Sequence, residues 1–279
     1  MKNEIIKPSI LPGFMELLPR EQQVFNDIVS KITKVYERNG CLAIDTPIIE
    51  KAEVLLAKGG GETEKQVYSF EKGKNKLALR FDLTVPFARY VAQYYNDINF
   101  PFKRYQIGKV YRGERNQKGR YREFYQCDID VIGKDKLSID NDAWVISLAS
   151  KAFKSIGLSN YKFQISNRKI LKGLLNEIKI DEVNEVMCLI DKYDKIGKES
   201  FSKELVDLIG FEKAQYINKV LDIKGSSKEI GEKLLKLNIG NEYFIEGVEE
   251  LNKVCSMLSI LGVEDEEFEI NLKIIRVFL

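Results

Sequence analysis

Two strand-like runs, 104–112 and 122–131, flank the polar segment GERNQKGRY (113–121), and this arrangement constrains the chain more than any other feature. Such runs around a Gly-containing connection predict an antiparallel hairpin with a long, charged tip. Side chains alternate faces along a strand, so Phe124, Gln126, Asp128 and Asp130 share one face of the return strand. Arg112 and Glu114 share a face if the first strand continues that far. The opposite faces carry Ile107, Tyr111, Ile129 and Val131, apolar enough to make a core.

The segments around the hairpin predict a mixed fold. From Arg20 to about Asn39, Val24, Phe25, Ile28, Ile32 and Val35 recur at helical spacing, and Gly40 supplies a stop. Residues 41–49 read as a strand running into Pro47. The glycines at 59–61 make a loop, either functional or a plain linker. Runs 66–70 and 77–83 read as strands, and a helix over 86–95 takes Pro86 at its first position. Within the second run, Arg80, Asp82 and Thr84 are alternate residues and so fall on one face.

After Ser138 the character changes. A helix over 140–156, a strand near 160–165 and a helix over 167–177 precede a stretch from 179 to 264 that is mainly helical and rich in Lys, Glu, Leu and Ile. It reads as a separate helical insertion. FEINLKIIRVFL (268–279) reads as a returning strand with Phe268, Ile270 and Leu272 on one face. The fold class expected is α+β, with a core over 1–178, an insertion over 179–264 and a core strand over 265–279.

Composition narrows the chemistry. Lys+Arg (44) and Asp+Glu (42) nearly cancel to +2, so no global field attracts nucleic acid. With no histidine in the 279 residues, Ser-His and Cys-His nucleophiles and His-based metal sites are excluded. The four cysteines are scattered without a CxxC pair and read as reduced thiols of a cytoplasmic protein. No stretch is long and apolar enough to span a bilayer. No metal site is expected.

A sheet face with this many charges is either solvated or a site. The loop concentrates Arg112, Arg115, Lys118, Arg120 and Arg122 within eleven residues, and Phe124 sits among polar neighbours where a flat ring serves for stacking. An arginine-rich loop over paired acids suits a ligand with phosphates at one end and an ammonium at the other. The planar guanidinium binds phosphate oxygens in bidentate fashion, and Asp82 and Asp130 would meet a cation or donor. Surface ion pairs without function remain the alternative.

At these residues a resemblance enters. FKRYQIGKVYRGERNQKGRYREFYQCDIDVIG (102–133) resembles the second class II signature of histidyl-tRNA synthetases. ILPGFMELLP (10–19), TPIIE (46–50), LALRFDLTVPFARY (77–90), SNRKIL (166–171) and DKYDKIGKE (191–199) fit the same family in the same order. The resemblance implies a class II synthetase-like antiparallel sheet flanked by helices, with ATP (with magnesium, as substrate) and histidine as ligands. It implies that Arg112 clamps the α-phosphate, Glu114 bonds the adenine amino group, Phe124 stacks under adenine, and Arg120 and Arg122 order the loop and phosphates. Asp82, Thr84, Gln126 and Asp130 would hold the histidine ammonium and neighbouring groups. Arg276 aligns with the family's substrate-activating arginine, which makes Arg112 and Arg276 the expected catalytic pair. The first-signature segment at 41–56 implies a homodimer.

Two departures accompany the fit. Asn116 stands where the family usually has proline. After Arg276 the chain reads Val277-Phe278-Leu279, where the family continues with Gly-Leu-Asp-Tyr-Tyr-Thr-Gly, the third signature and an anticodon-binding domain. The expectation is therefore a truncated core that binds ATP at most, and the tRNA for histidine, a partner in the parent family, is not expected of this chain alone. Two other roles stay open: a synthetase-like regulatory subunit of ATP phosphoribosyltransferase in histidine biosynthesis, and a non-catalytic paralogue. The charged loop favours the synthetase lineage, because the regulatory relatives generally keep less of the ATP site.

Overall fold

The computed structural model describes residues 7–57, 62–115 and 119–275. The glycine loop at 59–61, Asn116, Lys118 and Arg276 lie outside the described residues. The chain divides into two compact units, Met1–Leu137 and Ser138–Leu279.

The first unit opens with helix α1 (Pro19–Arg38). Pro19 takes the first helical position, where a missing N–H costs nothing. The Glu21 carboxylate accepts the Leu18 N–H at 3.0 Å, and Gly40, with φ +82°, follows the helix end. Then come β1 (Leu42–Ala43), β2 (Ile49–Lys51), the short helices α2 (Ala52–Leu55) and α3 (Glu62–Gln66), β3 (Ser69–Lys72), β4 (Asn75–Leu79), helix α4 (Thr84–Gln93), and the long strands β5 (Phe102–Tyr111) and β6 (Glu123–Ile132).

Strands β5 and β6 form the expected hairpin, antiparallel from Phe102 opposite Ile132 to Tyr111 opposite Glu123. β1 adds in parallel to the other edge of β5, Leu42 beside Arg104. A second antiparallel sheet has the order β2-β4-β3, with Ile49 opposite Leu79 and Phe70 opposite Leu77. Arg80 ties the two sheets together: its N–H donates to the Ile48 carbonyl (2.9 Å) and its carbonyl accepts from Tyr111 N–H (3.0 Å). Ala78, Leu83, Phe87 and Val110 are buried in this unit.

Several sequence expectations are corrected here. The strand over 41–49 is two short strands, β1 and β2, separated by a bend around Pro47, which has no N–H to give a ladder. The run 66–70 joins the end of α3 to the start of β3. The run 77–83 stops being a strand at Leu79. Helix α4 starts at Thr84 rather than Pro86, because Asp82 Oδ1 accepts the Val85 N–H (3.0 Å) and fixes the start ahead of the proline.

The second unit contains α5 (Asp140–Ser155), β7 (Phe163–Ile165), α6 (Arg168–Glu177), α7 (Val183–Asp191), α8 (Tyr193–Ile196), α9 (Lys198–Ile209), α10 (Phe211–Leu221), α11 (Ser227–Leu235), α12 (Glu242–Ile260) and β8 (Phe268–Ile270). Its core runs through Ile170, Leu174, Val186, Phe201, Leu205, Ile217, Phe244 and Val248. Helices α6 and α12 approach closely at glycines: a Cβ on Gly173 would lie 2.4 Å from the Phe244 nitrogen. β7 and β8 pair in parallel, Phe163 beside Phe268. The expected strand over 268–279 ends at Ile270, since Asn271 Oδ1 accepts the Lys273 N–H (3.0 Å) and turns the chain. Leu272 is nevertheless buried with Phe268 and Ile270.

Candidate nucleotide and amino-acid site

The polar face of the hairpin separates into two ends. At the loop end, β5 stops at Tyr111, but Arg112 N–H still donates to the Arg122 carbonyl (2.9 Å), so the two arms stay joined. The Arg112 guanidinium lies 4.5 Å from the centre of the Phe81 ring and 5.0 Å from that of Phe124, and its Nε donates to the Phe81 carbonyl at 3.3 Å. Held between rings, it is an oriented cation with N–H groups left to donate. Glu114 Oε2 accepts from Arg120 Nη1 (3.1 Å), which leaves Oε1 for another donor.

Arg122 holds the loop to the rest of the unit. Its Nε donates to the Glu114 carbonyl (3.2 Å), its Nη1 to the Pro12 carbonyl (3.4 Å), and its backbone N–H to the Gly13 carbonyl (2.7 Å). Gly13 is needed there twice over, since φ is +87° and a Cβ would lie 2.9 Å from Arg122 Cγ. Arg112, Glu114, Gly119, Arg120, Tyr121 and Phe124 surround a cavity of about 350 Å³, a volume at the small end of ligand sites. Of the residues expected to meet nucleotide, Arg122 alone is not in the lining; its groups are committed to carbonyls that shape the loop.

The other end carries the acids. Asp130 lies opposite Arg104 and Asp128 opposite Gln106, with Gln126 opposite Gly108. Directly opposed residues share a face, so Arg104 and Gln106 join the predicted row. Asp130 forms an ion pair with the buried Arg104. Burial pushes the Asp128 carboxyl above the usual carboxylate range, with Arg104 opposing the shift, Asp130 and Asp82 reinforcing it, and Arg112 opposing it. The Gln126 Oε1 is buried with no hydrogen-bond partner among the described residues.

The expected face of Arg80, Asp82 and Thr84 does not exist as such, because β4 has ended before them. Arg80 is 2% exposed and points inward: Nε donates to the Lys109 carbonyl (2.7 Å), and Nη1 to the Thr46 carbonyl (2.5 Å) and to Asp45 Oδ1 (3.3 Å). Gln106 Nε2 donates to the same Asp45 Oδ1 (2.9 Å) and to Thr46 Oγ1 (3.1 Å). This network, buried at Arg80, Thr46 and Gln106 and open to solvent at Asp45, is unseen in the sequence and locks the segment before α4 against β5. Asp82 caps α4 yet lies near enough to Asp128 to act on its ionisation. Thr84 is exposed at the first helical position. Arg104 is the residue that reasoning from sequence missed; extending the strand pairing to residue 104 would have set it across from Asp130.

Comparison with known proteins shows the family. The histidyl-tRNA synthetase family profile matches residues 13–278. A histidine–tRNA ligase of Clostridium acetobutylicum is 66% identical over 274 residues, covering 98% of this chain and 64% of the relative. One from Clostridium tetani is 52% identical, with 99% of this chain and 63% of the relative covered. The crystal structure of a Nostoc histidyl-tRNA synthetase superimposes with a TM-score of 0.89 at 37% identity, covering 98% of this chain and 63% of the other. This chain thus spans a little under two thirds of the relatives it matches.

The helix-flanked antiparallel hairpin with an arginine at its mouth and a helical unit beyond it defines a class II aminoacyl-tRNA synthetase-like fold. Within that class, the chain belongs to the histidyl-tRNA synthetase family. Among the described residues no helix is long and apolar enough to cross a membrane.

Proposed function

We propose that the chain binds ATP, with magnesium as part of the nucleotide substrate, in the cavity beside the hairpin, and histidine on the adjoining sheet face. It would then be the nucleotide- and amino-acid-binding core of a histidine–tRNA ligase. The gathering of Arg112, Glu114, Arg120 and Phe124 around one cavity carries this reading. Phe124 stacks under adenine, the free oxygen of Glu114 accepts from the adenine amino group, and Arg112 donates to the α-phosphate. Asp82, Thr84, Gln126 and Asp130 hold the ammonium and neighbouring groups of histidine.

The reaction needs no histidine on the enzyme. The substrate carboxylate is already ionised, attacks the α-phosphorus directly and displaces pyrophosphate. The protein aligns the two and stabilises the charge that builds on phosphorus, here through Arg112. Arg276 keeps its expected part as the second activating arginine. Delivery of the activated histidine to its tRNA, assembly as a homodimer and a cytoplasmic location complete the proposal. Exposed Leu42, Ile48 and Ile49 in and beside the short edge strands support the dimer. The organisation into a core (1–178 and 265–279) and an insertion (179–264) draws support from the β7–β8 pair, which returns the chain beside β7 after helices α6 to α12.

Calorimetric titration of the chain with ATP–magnesium and with histidine tests this. ATP binds more tightly than histidine on this reading, because the nucleotide residues line one cavity. Tight histidine binding with no ATP binding would overturn it in favour of a histidine-sensing regulatory subunit.

A further inference from the structure

Arg104 has no place in the expected site, and fold stability does not account for it. The side chain is 0% exposed. It pairs with Asp130 Oδ2 and its Cζ lies 4.1 Å from the centre of the Phe87 ring, but Nε and Nη1 have no hydrogen-bond partner among the described residues. Taking a guanidinium out of water with part of its donor set unmatched disfavours folding, and an apolar side chain of similar size commonly does better in such a place. The carboxylate it grips is one that the amino-acid subsite needs.

We propose that Arg104 is a positioning residue: it fixes Asp130 as an oriented anion inside the sheet, so that the remaining oxygen of Asp130, with Gln126 and Asp128 on the same face, meets a ligand ammonium or imidazole N–H. The inference rests on reading this face as the amino-acid subsite. An ion pair at Oδ2 leaves Oδ1 as the acceptor and removes the freedom of the carboxylate to turn. The charged groups on this face are Arg104 on β5, Asp128 and Asp130 on β6, Asp82 ahead of α4, Arg80 over Gly108 with Asp45 paired to it, and Arg112 beyond β5. Burial pushes the Asp130 carboxyl up, and Arg104 pulls it back. Without the guanidinium, burial acts unopposed.

The test starts without ligand, on the full chain. Carboxyl NMR titration follows Asp130, its signal assigned by its loss in Asp130→Asn. In Arg104→Gln the Asp130 midpoint rises by about 1–3 pH units, whereas in Arg104→Lys, which keeps the charge, it stays within about one unit of wild type. An unchanged midpoint in folded Arg104→Gln overturns the proposal. If Arg104→Gln does not fold, Arg104→Lys decides: histidine affinity falls about tenfold with ATP–magnesium affinity unchanged, because lysine lacks the planar fork, and equal histidine affinity in the two proteins overturns the proposal. Failure of the wild type to bind histidine would refute the subsite, while the Asp130 titration would still report on Arg104.

Discussion

Arg80 occupies the space that a side chain on Gly108 would need: a Cβ there would lie 2.4 Å from Arg80 Nη2. The guanidinium cannot step aside, because its other nitrogens are held by the carbonyls of Lys109 and Thr46. Gly108→Ala is expected to destabilise the chain by about 1–3 kcal/mol, the usual range for overpacking. Urea denaturation measures it, and a wild-type midpoint would show that Arg80 yields.

On the proposed reading, Phe124→Ala removes both the surface on which adenine would stack and one of the two rings that hold Arg112. ATP–magnesium affinity is expected to fall about tenfold, the equivalent of about 1.4 kcal/mol, with Phe124→Tyr close to wild type. Calorimetry on both variants checks the pair; equal loss in the two would point to a packing role for Phe124 instead.

Glu267 gives the second unit a pH-dependent element. Burial works to raise its pKa, but Lys154 (2.7 Å), Tyr161 and the Glu264 N–H (2.9 Å) outweigh it and bring it from 4.5 down to about 2. A depressed carboxyl contributes its stability above the unfolded pKa and loses it as pH falls through the folded one. The gap between the two pKa values corresponds to about 3 kcal/mol at most, and screening by the solvent around Lys154 reduces it to about 1–2 kcal/mol. This contribution is complete above about pH 4.5 and fades between there and about pH 2. Glu267→Gln should lower stability at neutral pH and flatten this acid limb in urea titrations; a limb identical to wild type would assign it to other carboxyls.

Between helices α6 and α12, Gly173 sets two effects against each other. Alanine in a helix interior is favoured over glycine by about 1 kcal/mol. Against that, its methyl carbon would meet the Phe244 nitrogen at 2.4 Å, backbone that cannot give. Overpacking at about 1–3 kcal/mol dominates, so Gly173→Ala is expected to lower the thermal midpoint. An increase would mean that the helices separate without penalty.

How much of this could be read in advance depends on the reach of each interaction. The hairpin follows from alternation within two neighbouring runs, and its observed spans, 102–111 and 123–132, differ from the expected ones by one or two residues. Helix α1 is legible for a like reason, its apolar residues falling at helical spacing with Gly40 just past its end. The residues flanking Asp82 are not. Alternation put Arg80, Asp82 and Thr84 on one face, but a carbonyl acceptor 29 residues away drew Arg80 inward, and capping turned Asp82 to its own helix. Pairing partners, not periodicity, decided both. The residues around Phe124 stand out because they crowd into one short loop, whereas Arg104 looks like any other basic residue until the register sets it against Asp130.

The staple from Arg122 to Pro12 bears on the order in which the site assembles. Lys109 and Glu123, 14 residues apart, can meet as soon as the hairpin closes, but Arg122 must find a carbonyl 110 residues earlier in the chain. Short loops close with less entropy loss and sooner than long ones. During refolding, strand signal therefore precedes nucleotide affinity, and the lag between a circular-dichroism trace and the fluorescence of a bound ATP analogue reports the time taken to dock the amino-terminal segment.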